Sequence, residues 1–151
     1  MKIKPIIIVA GQPKSIFFEI FFKTLKDNKF RSSLVLISSI KILKSQMNKF
    51  NFKKKIKIIN LTDLKKQKLN NKAINLINID YNINKSNIYI RNCFDVAFKI
   101  LKSKLSNKFI NGPVNKSKFL DKRYLGITEY ISKNFHVNKM AMLIYNKDLS
   151  V

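Results

Sequence analysis

Apolar positions in this chain come in short blocks separated by turn chemistry. The run from Lys4 to Ala10 stops at Gly11-Gln12-Pro13, the pattern of a strand buried on both faces that ends in a tight turn. Ser15 then precedes a helical segment reaching about Lys26, in which Ile16, Phe17, Ile20, Phe21 and Leu25 share one broad face. The unit repeats, with Ser33 to Ser38 as a β-branched strand, Ile40 to Phe50 as an amphipathic helix and Lys55 to Asn60 as a third strand. Leu61 to Lys72 is polar and lysine-rich, and its lack of proline and glycine reads as an exposed connection rather than a domain linker. Ile74 to Ile79 resumes the strand pattern.

The longest helical segment opens at Asn84 to Ser86 and carries Ile90, Phe94, Ala97, Phe98, Leu101 and Leu105 on its apolar face. Phe109-Ile110 runs into a second glycine-proline turn, Asn111-Gly112-Pro113, followed by a short helix over Asn115 to Leu120, helical turns over Thr128 to Phe135 and an apolar strand over Met140 to Tyr145. This alternation predicts an α/β layer fold with a largely parallel sheet and helices on both faces, as one unit spanning 1–151. Asn146-Lys147-Asp148 is turn chemistry, and Leu149-Ser150-Val151 begins a new alternation at which the sequence stops. That ending predicts a fold broken off inside a strand and incomplete at its C-terminus.

Composition narrows the class. The chain has 151 residues and is 46% hydrophobic, enough for a packed core and too apolar for disorder. A single cysteine, Cys93, excludes an internal disulfide, and no Cys/His cluster offers a structural zinc site. The basic start followed by Pro5 to Ala10 is too short for a signal peptide's apolar region, and even the segment Ile16 to Phe22 is interrupted by Glu19 and ended by Lys23, well short of a membrane span. These features predict a soluble, cytoplasmic protein with no membrane partner.

The net charge of +23 invites a nucleic-acid reading. Against it, only Arg31, Arg91 and Arg123 are arginines, the residue that gives bidentate phosphate and base recognition, and the lysines are spread along the whole chain together with abundant Asn and Ile, as A/T-rich codons would produce. Nonspecific polyanion binding at low salt is expected in either case.

Five of the six glycines and prolines fall in Gly11-Gln12-Pro13, Gly112-Pro113 and Gly126. Glycine permits conformations and close approaches that other residues forbid, so these three places are either working loops or plain turns. Neither Gly11-Gln12-Pro13-Lys14-Ser15 nor Gly112-Pro113-Val114-Asn115-Lys116-Ser117 spells a dinucleotide or Walker fingerprint. Glu19 and Glu129, the only glutamates, sit in a phenylalanine-rich helix and a helix's first turn, which suits structural roles better than a catalytic pair. Lys116 reads as a solvated lysine or a phosphate contact, His136 as a surface residue rather than a metal ligand, and Cys93 as packing.

Taken in order, Pro5-Ile6-Ile7-Ile8-Val9-Ala10-Gly11-Gln12-Pro13, Phe109-Ile110-Asn111-Gly112-Pro113-Val114-Asn115-Lys116 and Gly126-Ile127-Thr128-Glu129-Tyr130 resemble one family. It is the 4-hydroxythreonine-4-phosphate dehydrogenases of pyridoxal phosphate biosynthesis, with a fold like that of the isocitrate and isopropylmalate dehydrogenases. The family pattern runs from a strand into G-D/E-P-A-G-I-G-P-E, then T-G-P-I-x-K, G-H-T-E-F, a V-M-M-L strand and a strand ending T-T-H-x-P-L. Met140-Ala141-Met142-Leu143-Ile144-Tyr145 matches the penultimate strand and Leu149-Ser150-Val151 the start of the last.

The resemblance implies an NAD- or NADP-dependent oxidoreductase that takes a phosphorylated hydroxy amino acid, uses a divalent metal (zinc, magnesium or cobalt) and works as a homodimer. Thr128 matches the family's substrate-binding hydroxyl, whereas Ile127 stands where the family has a substrate-contacting histidine and can form no hydrogen bond there. Two later glycines of the first loop are also replaced, leaving only Ile16 and Glu19 of that motif. The first metal-binding histidine of the family falls just beyond Val151, so the resemblance implies no metal ligand, no cofactor bound by this chain alone, and an inactive amino-terminal portion. The alternative reading is a basic polyanion- or nucleic-acid-binding module built on an enzyme-derived fold.

Overall fold

The computed structural model describes residues 3–120 and 123–143. The chain divides into two compact units, Met1–Asn115 and Lys116–Val151.

The first unit is built on five parallel strands: β1 (Ile6–Val9), β2 (Leu34–Ser38), β3 (Ile56–Ile58), β4 (Ile74–Asn78) and β5 (Lys108–Asn111), in the spatial order β3-β4-β2-β1-β5. Three helices connect them: α1 (Phe17–Asp27), α2 (Ile40–Lys49) and α3 (Ser86–Lys102). From β1 the chain steps through α1 and α2 toward the β3 edge, and through α3 it crosses the other way to β5. Right-handed crossovers therefore put α1 and α2 on one face and α3 on the opposite one. The fold class is the expected α/β layer with a parallel sheet.

The three inner strands hold the core, and Ile7, Val9, Val35, Leu36, Ile37 and Leu76 are fully or almost fully buried. On one face, α1 presents Phe17, Phe18, Phe21 and Phe22, with Phe22 stacked on Phe52 at 4.4 Å. Ile16 and Ile20, expected on the buried face, are instead exposed. The helix is rotated so that its four phenylalanines, which remove more apolar surface from water than the isoleucines, take the sheet side. On the other face, Phe94 and Phe98 of α3 meet Phe109 of β5 edge-to-face at 5.7 and 6.2 Å. This helix stops at Lys102 rather than reaching Leu105, because Lys104 turns the chain at φ 59°.

The connection over Leu61 to Lys72 is not a bare tether. It opens with a 3₁₀ turn at Leu61–Asp63, buries Leu64, and ends where Asn71 grips the start of β2. The Asn71 carbonyl oxygen accepts from Leu34 N (2.9 Å) and its amide donates to the carbonyls of Phe30 (3.2 Å) and Ser32 (2.9 Å).

The second unit carries a four-residue helix, α4 (Lys116–Phe119), and α5 (Ile127–Phe135), joined through Tyr130, whose ring meets Phe119 at 5.2 Å and Tyr124 at 5.3 Å. The strand expected over Met140 to Tyr145 does not form over 140–143, where Met140, Met142 and Leu143 are exposed with no ladder partner among the described residues. The rest of that segment, and the expected alternation at 149–151, lie outside the described residues.

Candidate functional site

β1 and β5 are neighbours in register, Ile7 opposite Phe109 and Val9 opposite Asn111, so both glycine loops leave the same end of the sheet side by side. They interlock. Gln12 N donates to the Pro113 carbonyl at 2.8 Å, and Gly112 N to the Val9 carbonyl at 2.7 Å. Gly11 adopts φ +75°, and a Cβ there would strike the Pro113 carbonyl. A Cβ on Gly112 would strike the Ala10 carbonyl and come within 2.8 Å of the Phe17 ring. Both glycines are thus required by the packing of one loop on the other, and of the two readings left open by the sequence, the turn reading accounts for them. Ser15 closes the first loop, donating to the Gln12 carbonyl at 2.8 Å and accepting from Phe17 N at 3.4 Å.

The same end of the sheet holds a buried polar lock that the sequence reading did not find. Tyr89 of α3 reaches the turn between β2 and α2, where its hydroxyl lies 3.0 Å from Ser38 Oγ and accepts from Ser39 N at 3.1 Å. Ser39 in turn caps α2 by accepting from Lys41 N at 3.3 Å. Burial pushes the Tyr89 hydroxyl well above the ordinary phenol range, with neighbouring Cys93 adding to the shift, and burial pushes the Cys93 thiol up to about 12. Neither group is a nucleophile near neutral pH, and Cys93 packs as expected, 1% exposed.

In the second unit, Gly126 is extended at the N-cap of α5 and supplies no side-chain cap. Ile127, Thr128 and Glu129 form the first turn, all partly buried. Glu129 folds back over this terminus: a Cβ on Gly126 would lie 2.9 Å from Glu129 Oε2, an oxygen that is buried and without a hydrogen-bond partner. The helix terminus and the Thr128 hydroxyl offer donors for an anion, and the Glu129 carboxylate already occupies part of that field. Ile127 adds apolar surface only. Lys116 is exposed at the start of α4. His136 is exposed and ends α5 in the left-handed conformation, φ 53°. Glu19 pairs with Lys23 at 2.8 Å on the surface of α1, a contact that lowers the carboxyl's pKa.

The fit of the implied groups can be tested on these residues. Among the described residues no cluster of three His, Cys, Asp or Glu side chains could hold a divalent metal. Beside Gly11 and Gly112 the backbone of the opposing loop leaves no room even for a Cβ.

The architecture of the first unit is a parallel five-stranded α/β layer, and the fold of the chain has known counterparts. It is shared with solved 4-hydroxythreonine-4-phosphate dehydrogenases from Burkholderia phymatum (TM-score 0.81, 16% identity, 99% of this chain and 49% of that one) and Klebsiella pneumoniae (0.78, 19%, 97% and 49%). A protein from Salmonella typhimurium proposed to be such an enzyme is similar as well (0.77, 20%, 97% and 50%). The chain therefore spans about half the length of the structures it resembles. No protein-family model and no curated protein sequence matches it. No helix among the described residues is long and apolar enough to cross a membrane.

Proposed function

We propose that the chain is the amino-terminal portion of a 4-hydroxythreonine-4-phosphate dehydrogenase-like oxidoreductase, with both compact units belonging to one α/β enzyme. The observation that carries this reading is the likeness of fold along nearly the whole chain, to proteins of the same description as the one its ordered motifs resemble. In that enzyme a phosphorylated hydroxy amino acid would be oxidised with hydride transfer to NAD or NADP, in the pathway to vitamin B6. A divalent metal, where present, supplies polarisation of the reacting oxygen. The chain's own contribution is the Thr128 hydroxyl as a hydrogen-bond donor to the polar substrate, at a helix terminus that favours anions. Ile127 withdraws one polar contact from that site. The cytoplasm and a homodimeric assembly complete the reading.

Alone, the chain lacks a metal-ligand set among its described residues and is expected to be inactive. Incubation with 4-phosphohydroxythreonine, NAD or NADP and a divalent metal should give no reduced nicotinamide by absorbance. Substrate binding followed by NMR should show a weak interaction lost in Thr128→Ala. Turnover by the chain alone would refute its inactivity, and binding indifferent to Thr128 would refute its role as the substrate-binding portion of such an enzyme.

A further inference from the structure

The opposite end of the sheet, where the strands begin, is built differently. A cleft of about 640 Å³ opens between the Leu64–Leu69 segment, the chain after α3 and the entry to β1. A second, of about 550 Å³, lies between the end of α1 and the Asn70–Lys72 segment. The two share Ser33 and Leu69, and the ridge between them is held by the three Asn71 hydrogen bonds and by Asn75, whose amide donates to the carbonyls of Leu34 (2.8 Å) and Asn70 (2.9 Å). Behind the lining of the first cleft, buried Ser106 fixes Pro5 at the entry to β1 by donating to its carbonyl at 2.6 Å. The clefts thus have a hydrogen-bonded backbone frame, rimmed by exposed side chains.

Their charge is uniform. Lys4, Lys65, Lys66, Lys68 and Lys104 line the first, and Lys26, Lys29, Arg31, Lys54 and Lys72 the second. Five of the twelve residues lining each cleft are cationic and none is acidic, against 31 lysines and arginines in 151 residues, so this end concentrates charge about twofold beyond composition. The C-termini of α1 and α3 also point here, and each opposes an anion with about half an elementary charge. Adding Asp27 beside the second cleft still leaves roughly two negative charges against ten positive ones.

We propose that this pair of joined clefts is a binding site for a phosphodiester strand, single-stranded nucleic acid held through its backbone. Lysine acts as a point charge that needs no fixed geometry and therefore suits phosphates in any sequence. The apolar floor, with Pro5, Leu64, Leu69 and Leu105 in the first cleft and Phe30 in the second, suits the sugar and base surface between phosphates. The site is independent of the dehydrogenase reading, since it lies at the other end of the sheet from the glycine loops.

The test compares two variants of equal net charge by fluorescence anisotropy, using a labelled oligouridylate of roughly 12 nucleotides. Lys29→Gln/Lys66→Gln/Lys104→Gln removes exposed lysines from the clefts, and Lys41→Gln/Lys85→Gln/Lys133→Gln removes exposed lysines elsewhere. At about 150 mM salt the first should weaken binding roughly tenfold and lower the salt slope by about 2, and the second should weaken it no more than about twofold. Thermal melts check that both remain folded. Equal weakening by the two variants would overturn the site and leave net charge as the explanation. So would displacement of the strand by polyglutamate as effectively as by unlabelled oligonucleotide. Displacement by inorganic polyphosphate of equal charge would assign recognition to the phosphate chain alone, and resistance to it would add the sugars, and either result upholds the site.

Discussion

The two ends of the sheet solve opposite problems. Where the strands finish, backbone meets backbone: Gly11 and Gly112 interlock, and Tyr89 closes the β2–α2 turn from the other face. Where the strands begin, Asn71 and Asn75 tie backbone segments into a frame beside two joined clefts rimmed by lysine. In α/β sheets ligands usually gather at the carboxyl ends of the strands, so the closed end is the one fold analogy marks and the open end is the one physical access marks. The glycines signal tight packing here, and room for a ligand comes from a lysine-rich connection that contains no glycine at all.

The largest effect that would break this comparison is at Gly112. Gly112→Ala pushes a methyl group into the Ala10 carbonyl and the Phe17 ring, and backbone cannot yield there. A loss of about 3 kcal/mol is expected, read as a lower urea midpoint with unchanged m-value, while strand binding at the opposite end is retained in the folded fraction. A variant as stable as the parent would mean that the loops are not locked and that the glycines are kept open for a ligand.

Asn71→Ala comes next. It removes three hydrogen bonds and leaves the buried Leu34 N without its acceptor, at a cost of about 2 kcal/mol. Because Asn71 also forms the ridge between the clefts, oligonucleotide affinity should fall at the same time by roughly threefold, a loss of about 0.7 kcal/mol. Lost stability with unchanged affinity would separate the ridge from the site.

Tyr89→Phe should cost about 1–2 kcal/mol, since Ser39 N and Ser38 Oγ lose a partner in a buried place. The change would be local, with hydrogen exchange at the Ser39 amide accelerating more than at Ile37 or Leu76 in the sheet. Uniform acceleration would make Tyr89 an ordinary core residue and not a lock on the turn.

How much of this was legible depended on whether a residue's partners lie nearby in sequence. β2 and β4 are buried along most of their length and read directly from their runs of Ile, Leu and Val, interrupted in β4 by Asn75. The helix faces were harder. In α1 a stripe on Ile16 and Ile20 and a stripe on Phe18 and Phe22 are equally periodic, and only packing against Phe52 decides between them. The Leu61 to Lys72 segment misled more, because the one asparagine that organises it, Asn71, is indistinguishable from its neighbour Asn70 until the carbonyls it binds, some forty residues earlier, are in place. For the candidate site, the glycine positions were visible and their reason was not, since it consists of two loops about a hundred residues apart touching each other. The lysines of the open end were visible singly, but their gathering from segments around residues 4, 29, 54, 66 and 104 is a product of topology.

The smallest effect concerns pH, and it isolates the closed end. Burial holds the Cys93 thiol neutral up to about pH 12, whereas in the unfolded chain it ionises near its ordinary value of 9. A raised folded pKa means that the stability linked to Cys93 is fully present below pH 9 and is lost as pH climbs toward 12, because over that window the unfolded state has already released the proton that the folded state keeps. The slope is about 1.4 kcal/mol per pH unit at most. Chemical denaturation of the parent and of Cys93→Ala at pH 8, 9 and 10 separates the slope of Cys93 and its interacting neighbour Tyr89 from the other titrating groups, since contributions common to both proteins cancel in the difference. The variant starts less stable by the cavity it creates, but its stability should decline less steeply above pH 9. In the same samples a thiol reagent should leave native Cys93 unmodified at pH 8. Parallel slopes, or rapid modification without denaturant, would show that water reaches α3 beneath the Tyr89 lock and that the end described here as closed is open to solvent.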